Sequence, residues 1–266
     1  MRMVVNTVKH LVQPGNAKVI VNKLYRRIQR GGRKNAERAA SFQWAAERAI
    51  QVDAYCTSLN SDLWSEAIEF KKNFEPHAME VLKRTSRFFG GGGAYPLIHF
   101  LVRYLEPEFI VETGVAAGWS SHAALAACEK NGNGRLYSSD FPYFRETNAA
   151  DDIGLLVPDH LRDRWTLDIR GDEHSLPEVA SRNGAIDLLH YDSDKSYSGR
   201  KFALSTLEGS LSQDAWLIMD DIQDDLFFRD MVIANEFEHS VCEFEGKFLG
   251  IIPNVKRQLA GRALSI

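Results

Sequence analysis

Short apolar runs alternate with helical patterns over the second half of the chain. Each run is followed by polar or glycine-rich residues and then by apolar positions at helical spacing. Two further runs flank Glu245-Gly246, which suits a hairpin turn. Alternating strands and helices favour a parallel sheet covered on both faces. We therefore predict an α/β fold with a doubly wound, mostly parallel sheet of seven strands, near residues 109–111, 135–140, 165–169, 186–191, 216–219, 239–244 and 247–252.

The N-terminal part of the pattern predicts helices. Helical spacing extends over residues 42–54, begins again at Ser61-Asp62, and continues from Pro76, where proline would occupy a first turn. We interpret residues 41–93 as a helical cap that ends in four consecutive glycines, Gly90 to Gly93. The glycine run could be a hinge that closes the cap over a ligand, or a loose linker. One more helix over residues 95–105 would open the main domain, residues 94–266.

Charge is spread unevenly along the chain. Up to Arg38 there are ten Lys and Arg residues and one acid, about +9, so a net charge of −4 leaves about −13 for the remainder. The acidic body argues against nucleic acid as a partner. We interpret residues 1–40 as a basic amphipathic arm, with helical spacing over residues 19–28. It could contact a membrane surface or another polyanion, or be a solvated extension.

Composition favours a soluble globular protein. Hydrophobic residues at 44% and charged residues at 26% are ordinary values, and 266 residues suffice for a sizeable core. No apolar run is long enough for a membrane span, and the N-terminus lacks the apolar region of a secretory signal. Three widely spaced cysteines indicate free thiols in a reducing compartment, so we expect a cytoplasmic protein.

An acid and two glycines follow the first predicted strand. Gly114 and Gly118 would permit a turn with positive φ and a close approach of ligand to backbone, and the helix after them offers free N–H groups. The spacing is Glu-x-Gly-x-x-x-Gly and lacks the third glycine of the dinucleotide fingerprint, which disfavours an NAD-dependent enzyme. Glu112 would repel a pyrophosphate but could hold an ammonium group or hydroxyls.

This segment resembles motif I of the class I S-adenosylmethionine-dependent methyltransferases, whose ligand carries an ammonium and a sulfonium. The resemblance implies a Rossmann-like fold and a cofactor site that includes Glu112, Gly114, Gly118 and Ser120, with Glu112 near the methionine moiety. The alternative is a glycine-rich turn of some other α/β protein.

Acids fall at or just beyond the carboxyl ends of five predicted strands: Glu112, Asp140, Asp172, Asp192 and Asp220. Like charges held together at one edge are unfavourable, so something cationic or rich in hydroxyls should occupy it. The resemblance implies that Asp140 binds the ribose hydroxyls and that Asp172 lies near the adenine amino group. The alternative for each is a helix cap or a surface acid, and Glu173 could replace Asp172.

Residues 190–197, His-Tyr-Asp-Ser-Asp-Lys-Ser-Tyr, resemble the Asp-Ala-Asp-Lys-x-x-Tyr stretch of the cation-dependent O-methyltransferases, the caffeoyl-coenzyme A and catechol type. The resemblance implies that Asp192 binds a divalent metal together with Asp220 and Asp221, and that Lys195 is the general base. Asp192 also belongs to the implied cofactor-binding set. Three oxygen-bearing side chains on neighbouring strands suit a hard ion such as Mg²⁺.

The chain departs from that pattern at Asp221, which replaces an Asn and adds negative charge. The segment also resembles a broader methyltransferase group with Asp-x-Asp-His-x-Tyr, where Lys195 replaces a His, and that group acts on sugars, antibiotics and cell-surface glycans. Asp194 and Tyr197 could simply cap and pack the next helix. The resemblance covers residues 95–253.

We expect an S-adenosylmethionine-dependent O-methyltransferase that acts on a hydroxyl of a small molecule or glycan, assisted by a divalent metal. One alternative is a metal-independent methyltransferase that uses Lys195 or His190 as base. Another is a non-catalytic S-adenosylmethionine-binding or docking protein. The cap helices could pair with a second subunit in a homodimer.

Overall fold

A computed structural model describes residues 33–85, 91–142, 149–182 and 184–266. The helix predicted over residues 19–28, most of the basic arm, Gly90 and the last residues of the helix predicted from Pro76 lie outside these ranges.

The centre of the molecule is one eight-stranded sheet in the order β1-β7-β8-β6-β5-β2-β3-β4. Every neighbouring pair is parallel except the two that involve β8, which runs antiparallel to β6 and β7. The mostly parallel α/β fold is confirmed, and the terminal hairpin turns at Glu245-Gly246, both with positive φ. The strands are β1 (Ala49–Gln51), β2 (Phe109–Thr113), β3 (Arg135–Ser139), β4 (Trp165–Asp168), β5 (Ile186–Tyr191), β6 (Leu211–Met219), β7 (Ser240–Phe244) and β8 (Lys247–Ile252).

The predicted count of seven strands was one too few, because β1 lies where we predicted continuous helix over residues 42–54. The three residues of β1 pair in parallel with β7, with Ala49 opposite Val241. The partner strand lies far away in sequence, so helical periodicity alone could not reveal this pairing. β1 covers the backbone of β7, which would otherwise be an open sheet edge.

Nine α-helices surround the sheet in the described residues: α1 (Arg33–Ala46), α2 (Val52–Leu59), α3 (Ser61–Lys83), α4 (Tyr95–Leu105), α5 (Trp119–Asn131), α6 (Asp172–Ala180), α7 (Tyr197–Leu207), α8 (Phe227–Asn235) and α9 (Val255–Leu259). The start of α3 is capped by Asn60, whose side chain accepts from the N–H groups of Asp62 and Leu63. We predicted a new helix at Pro76, which was wrong, since α3 continues through it. Lys72 and Asn73 on the preceding turn are exposed, so water can bind the carbonyl that the proline leaves free.

Two core layers pack against the two faces of the sheet. Helices α6, α7, α8 and α9 bury their apolar positions on one face, and helices α2, α3, α4 and α5 cover the other. A smaller aromatic cluster, with Phe74, Tyr95 and Trp119, joins α3 to α4 and α5. In the part of the chain that the structure describes, no helix is both long and apolar enough to cross a bilayer.

Strand order reverses between β2 and β5, because β3 and β4 lie to one side of this pair and β6 to the other. In open α/β sheets, ligands bind outside the carboxyl ends of the strands at such a point. The turn after β2 and the segment after β5 therefore frame the expected site.

Candidate active site

The turn after β2 depends on its two glycines. Gly114 has φ +83°, and a Cβ there would lie 2.6 Å from the backbone oxygen of Asp192. Gly118 has φ +94° and precedes α5, and its Cβ would lie 2.9 Å from Cα of Gly154. Both positions need glycine for conformation and for space. The turn is thus packed directly against the segment that follows β5.

Glu112 is buried inside β2 and is held by hydroxyl groups. Its two oxygens accept hydrogen bonds from Ser120 Oγ (2.5 Å), Ser121 Oγ (2.5 Å) and Ser138 Oγ (2.7 Å), and Oε1 lies 3.6 Å from Nδ1 of His190. Burial alone would raise the pKa of Glu112, but His190 and the serine hydroxyls outweigh it and lower the pKa. The predicted site residues Glu112 and Ser120 therefore contact each other, and Glu112 is a buried anion that fixes the start of α5.

Asp140 follows β3 and lies beside the same turn. Its Oδ2 accepts from the backbone N–H groups of Val115 (2.9 Å) and Ala116 (2.8 Å), and Oδ1 accepts from that of Phe141 (2.6 Å). A carboxylate offers about four lone-pair sites, and three of those of Asp140 accept backbone N–H groups. Asp140 links the turn after β2 to the end of β3.

Asp172 opens α6 and bridges the ends of two strands. Its Oδ1 accepts from Ser139 Oγ at 2.7 Å, and its Oδ2 accepts from Ser193 Oγ. The contact with Ser193 brings Asp172 next to the Asp192 segment, although 20 residues separate the two acids in the sequence.

Asp168, the last residue of β4, is a buried acid that the sequence analysis did not single out. It accepts from Tyr137 Oη at 2.8 Å and pairs with Arg170. Burial would raise the pKa of Asp168, but the bonds from Arg170 and Tyr137 hold it well below its usual range. These partners occupy both oxygens, which indicates a structural role.

Asp192, Asp220 and Asp221 converge at the ends of β5 and β6. Each offers a carboxylate oxygen, and these oxygens all lie within 4.8 Å of one another. The strands pair in parallel with Tyr191 opposite Met219, so the residues that follow them meet at one edge. We call these three residues the acid cluster. A set of hard oxygen donors at this spacing fits a divalent cation such as Mg²⁺.

Lys195 lies inside the acid cluster. Its Nζ is in contact with Asp192 Oδ1 and lies 3.3 Å from Asp221 Oδ2, and the side chain is 20% exposed. Burial lowers the pKa of Lys195, an effect that Asp220 and Asp221 partly oppose. Lys247 approaches Asp221 from the hairpin, with Nζ 3.5 Å from Oδ1. Burial would raise the pKa of Asp221, but the two lysines lower it.

Arg200 is the main site residue that the sequence analysis missed. It is completely buried, and its guanidinium donates to the backbone oxygens of Asp220 (3.0 Å) and Asp221 (2.8 Å) and to Asp225 Oδ1 (3.2 Å). A signal existed, because Arg200 has helical spacing with the core residues Ala203, Leu204 and Leu207 of α7. An arginine on the apolar face of a helix needs buried partners.

Comparison with known proteins identifies the domain that carries this site. Residues 111–222 match the family described as a methyltransferase domain. No curated protein matches the sequence significantly.

Several solved structures share the fold at low identity. A methyltransferase from Geobacter sulfurreducens is 17% identical, with TM-score 0.52, and the match covers 68% of this chain and 88% of that one. A candidate O-methyltransferase from Klebsiella pneumoniae is also 17% identical, with TM-score 0.52 and 67% and 89% covered. A candidate caffeoyl-CoA O-methyltransferase from Staphylococcus aureus is 12% identical, with TM-score 0.54 and 71% and 98% covered.

The sheet and its covering helices thus have the fold of the class I methyltransferases. Residues 111–222, which include the acid cluster and the glycine turn, match a methyltransferase domain, in agreement with the methyltransferase resemblance of the sequence.

Proposed function

We propose that the protein transfers a methyl group from S-adenosylmethionine to a hydroxyl oxygen of a small molecule or glycan, with a divalent cation held by the acid cluster. The observation that carries the proposal is the position of the acid cluster and Lys195. They lie at the strand-order reversal, against the glycine turn, where Gly114 has no room for a side chain beside Asp192. A methyl donor bound on that turn would face an acceptor bound at the cluster.

The donor would lie along the carboxyl edge of β2, β3 and β5. Gly114 and Gly118 would let its methionine part approach the backbone, and Glu112 and Ser120 would fix the turn beneath it. Asp140 would accept from the ribose hydroxyls, and Asp172 would lie by the adenine. These roles are the ones that the methyltransferase resemblance implies for the acids along this edge.

Within this proposal Asp192, Asp220 and Asp221 hold the cation. When bound, such a cation would draw electron density from an acceptor hydroxyl and so lower its pKa. Burial favours the neutral amine of Lys195, which would accept the hydroxyl proton. The oxygen then forms a bond to the methyl carbon while the bond from sulfur to that carbon breaks. The bonding electrons stay on sulfur and leave S-adenosylhomocysteine.

A second candidate keeps the donor and the base but not the cation. The ammonium of Lys195 already lies among the three carboxylates, and Lys247 adds a second positive charge. The lysines can therefore offset much of the negative charge at the cluster. In this version the acceptor is held without a metal, and its proton goes either to His190 or to Lys195 after the Lys195 ammonium has released a proton to solvent and become a neutral amine.

A methyl-transfer assay separates these two versions. The protein would be incubated with labelled S-adenosylmethionine and a panel of catechols, other phenols and sugars, with Mg²⁺ or with excess EDTA. If the reaction needs a cation, we expect EDTA to lower the rate by about 100-fold or more, because it removes the cation. Asp192→Asn should lower the rate by a similar factor, because it removes one of the carboxylates that hold the cation. The matched control is Asp214→Asn, a surface acid paired with Arg257.

Full activity in EDTA would select the version without a cation. If the labelled methyl group were transferred only to nitrogen or sulfur atoms and never to a hydroxyl oxygen, O-methylation would be contradicted in both versions.

A further inference from the structure

Two of the three residues in the acid cluster, Asp220 and Asp221, sit on a turn with an unusual backbone. Asp221 has φ +50° and ψ +43°, the left-handed region that favours glycine. A short 3-10 turn, Ile222–Asp224, follows it. A non-glycine residue persists in this conformation only where its surroundings hold it there. The surroundings of this turn therefore bear on the geometry of the cluster.

Arg200 holds the turn from inside the protein. It donates to the backbone oxygens of Asp220 and Asp221 and to the carboxylate of Asp225, so one guanidinium spans both ends of the turn. Burying an arginine completely is costly unless its charge and its N–H groups find partners. Two of its three partners are backbone oxygens of residues whose side chains form the acid cluster, and the third is the carboxylate of Asp225.

Ser41 of α1 holds the same turn from the other side. Its buried hydroxyl shares one proton between the backbone oxygens of Ile222 (2.9 Å) and Asp225 (2.6 Å). Near it, Arg38 pairs with Asp224 at 2.9 Å, and the ring of Phe42 packs edge-on against Phe248 at 5.3 Å. Helix α1 lies outside residues 111–222, the matched methyltransferase domain. An N-terminal segment outside the matched domain therefore reaches the back of the site.

Arg200 and Ser41 together engage four backbone oxygens between residues 220 and 225. The side chain of Gln223 adds a local link, since its Nε2 donates to Asp221 Oδ1 and its Oε1 accepts from the N–H of Phe248 on β8. The carboxylates of Asp220 and Asp221 face Lys195 on the open side, while the backbone behind them is fixed. A small rotation of this backbone would move both carboxylates away from Asp192.

We infer that Arg200 and Ser41 are positioning residues: they clamp the 220–225 turn from two sides so that Asp220 and Asp221 stay at cation-binding distance from Asp192. This inference rests on the cation site of the proposed function. It assigns a role in that site to α1, and it predicts that cation affinity depends on residues that do not touch the cation.

Calorimetric titration with Mn²⁺ tests the inference, with a separate titration of S-adenosylhomocysteine. Ser41→Ala should weaken Mn²⁺ binding about fivefold, the factor that corresponds to one lost neutral hydrogen bond. Arg200→Lys keeps the charge but loses the fork that spans the turn, and it should weaken Mn²⁺ binding about 10- to 100-fold. The affinity for S-adenosylhomocysteine should stay within about twofold, since neither residue contacts the donor edge.

Matched controls make the same changes elsewhere. Ser210→Ala removes a hydroxyl that donates to the backbone oxygen of Ala180, and Arg103→Lys alters an arginine that pairs with Glu66. Both should bind Mn²⁺ like the wild type. If Arg200→Lys fails to fold, Ser41→Ala decides alone, because it removes one oxygen atom and leaves the buried charges paired.

The outcomes separate this inference from the proposed function. Unchanged Mn²⁺ affinity in both variants would overturn the clamp and leave the cation site standing. An equal loss of affinity for Mn²⁺ and for S-adenosylhomocysteine would also overturn it, because that indicates a general structural role. A wild-type protein without saturable Mn²⁺ binding would overturn the cation site itself and the clamp with it.

Discussion

At the scale of single residues, Gly114 shows how closely the motif-I turn and the acid cluster are joined. Glycine is required here for two reasons: the residue has a positive φ, and a Cβ at this position would lie only 2.6 Å from the backbone oxygen of Asp192. Gly132, which caps the end of α5, shares only the first, with φ +70° and no neighbouring atom within 4 Å of a Cβ. The two positions therefore separate backbone strain from steric conflict.

Alanine at each glycine should give different results. Gly132→Ala should lower the free energy of unfolding by about 1 kcal/mol, the strain of a left-handed alanine. Gly114→Ala should lower it by about 3 kcal/mol, because displacement of the Asp192 backbone adds to that strain. Urea denaturation measures both, and calorimetry should show loss of S-adenosylhomocysteine binding only for Gly114→Ala. Equal destabilisation by the two substitutions would contradict the close contact.

At the scale of elements, α3 and α4 enclose a histidine that makes no side-chain hydrogen bond in the described residues. His99 is fully buried, neither ring nitrogen has a hydrogen-bond partner in the described residues, and the ring stacks on Phe70 at 4.5 Å. Burial is the main cause that lowers the pKa of His99 to about 4; nearby Glu66 opposes it, and Lys130 and Arg103 add to it. His122 on α5 also has a pKa of about 4, because of burial.

Acid should therefore loosen this helix packing. The unfolded chain binds the His99 proton near pH 6.5, whereas the folded chain resists it until about pH 4, so stability is full above pH 6.5 and falls as pH drops towards 4. His99 alone should account for about 2 kcal/mol of the stability lost between pH 8 and pH 5. In urea denaturation, the free energy of unfolding of His99→Leu should fall less between pH 8 and pH 5 than that of the wild type, by that amount. His160→Leu, at a largely exposed position, should behave like the wild type, and the same pH dependence in His99→Leu would refute the account.

Elements that depend on local pattern could be predicted, and those that depend on distant partners could not. The bounds of β5, β8 and α4 agree with the sequence pattern residue for residue. β1 was missed because only pairing with β7 makes it a strand, and α3 was divided because proline usually ends a helix.

The same contrast holds within the site. The resemblance to the cation-dependent O-methyltransferases, together with the expected pairing of neighbouring strands, predicted that Asp192, Asp220 and Asp221 would meet. The contacts of Arg200 and Ser41 with the turn behind them were not predicted. They join segments far apart in the sequence. Their acceptors are backbone oxygens, which every residue has, so no residue type in the sequence indicates them.

At the scale of the whole molecule, the two edges of the sheet differ in chemistry. At the carboxyl edge, Asp140 accepts from the N–H groups of Val115 and Ala116. At the amino edge, Asp187 makes the same kind of contact, accepting from those of Glu108 (3.0 Å) and Phe109 (3.1 Å). Only the first edge is proposed to bind the methyl donor.

Asparagine at each position should reveal this difference. Asp140→Asn and Asp187→Asn should each cost about 1 to 2 kcal/mol of stability, since each weakens two charge-assisted hydrogen bonds. Only Asp140→Asn should weaken S-adenosylhomocysteine binding in calorimetry, by about 10- to 100-fold, because a ribose acceptor is lost as well. A similar loss of binding in Asp187→Asn would indicate that stability alone governs affinity.

The central claim is that the carboxyl edge of the sheet holds a methyl donor and a cation side by side. A crystal structure of the wild-type protein grown with S-adenosylhomocysteine and Mn²⁺ tests it most directly. We expect the ribose beside Asp140, the sulfur above the Gly114 turn, and an anomalous peak for Mn²⁺ about 2.2 Å from oxygens of Asp192 and Asp220. S-adenosylhomocysteine bound away from this edge, or Mn²⁺ bound elsewhere with Lys195 still among the three carboxylates, would contradict the claim.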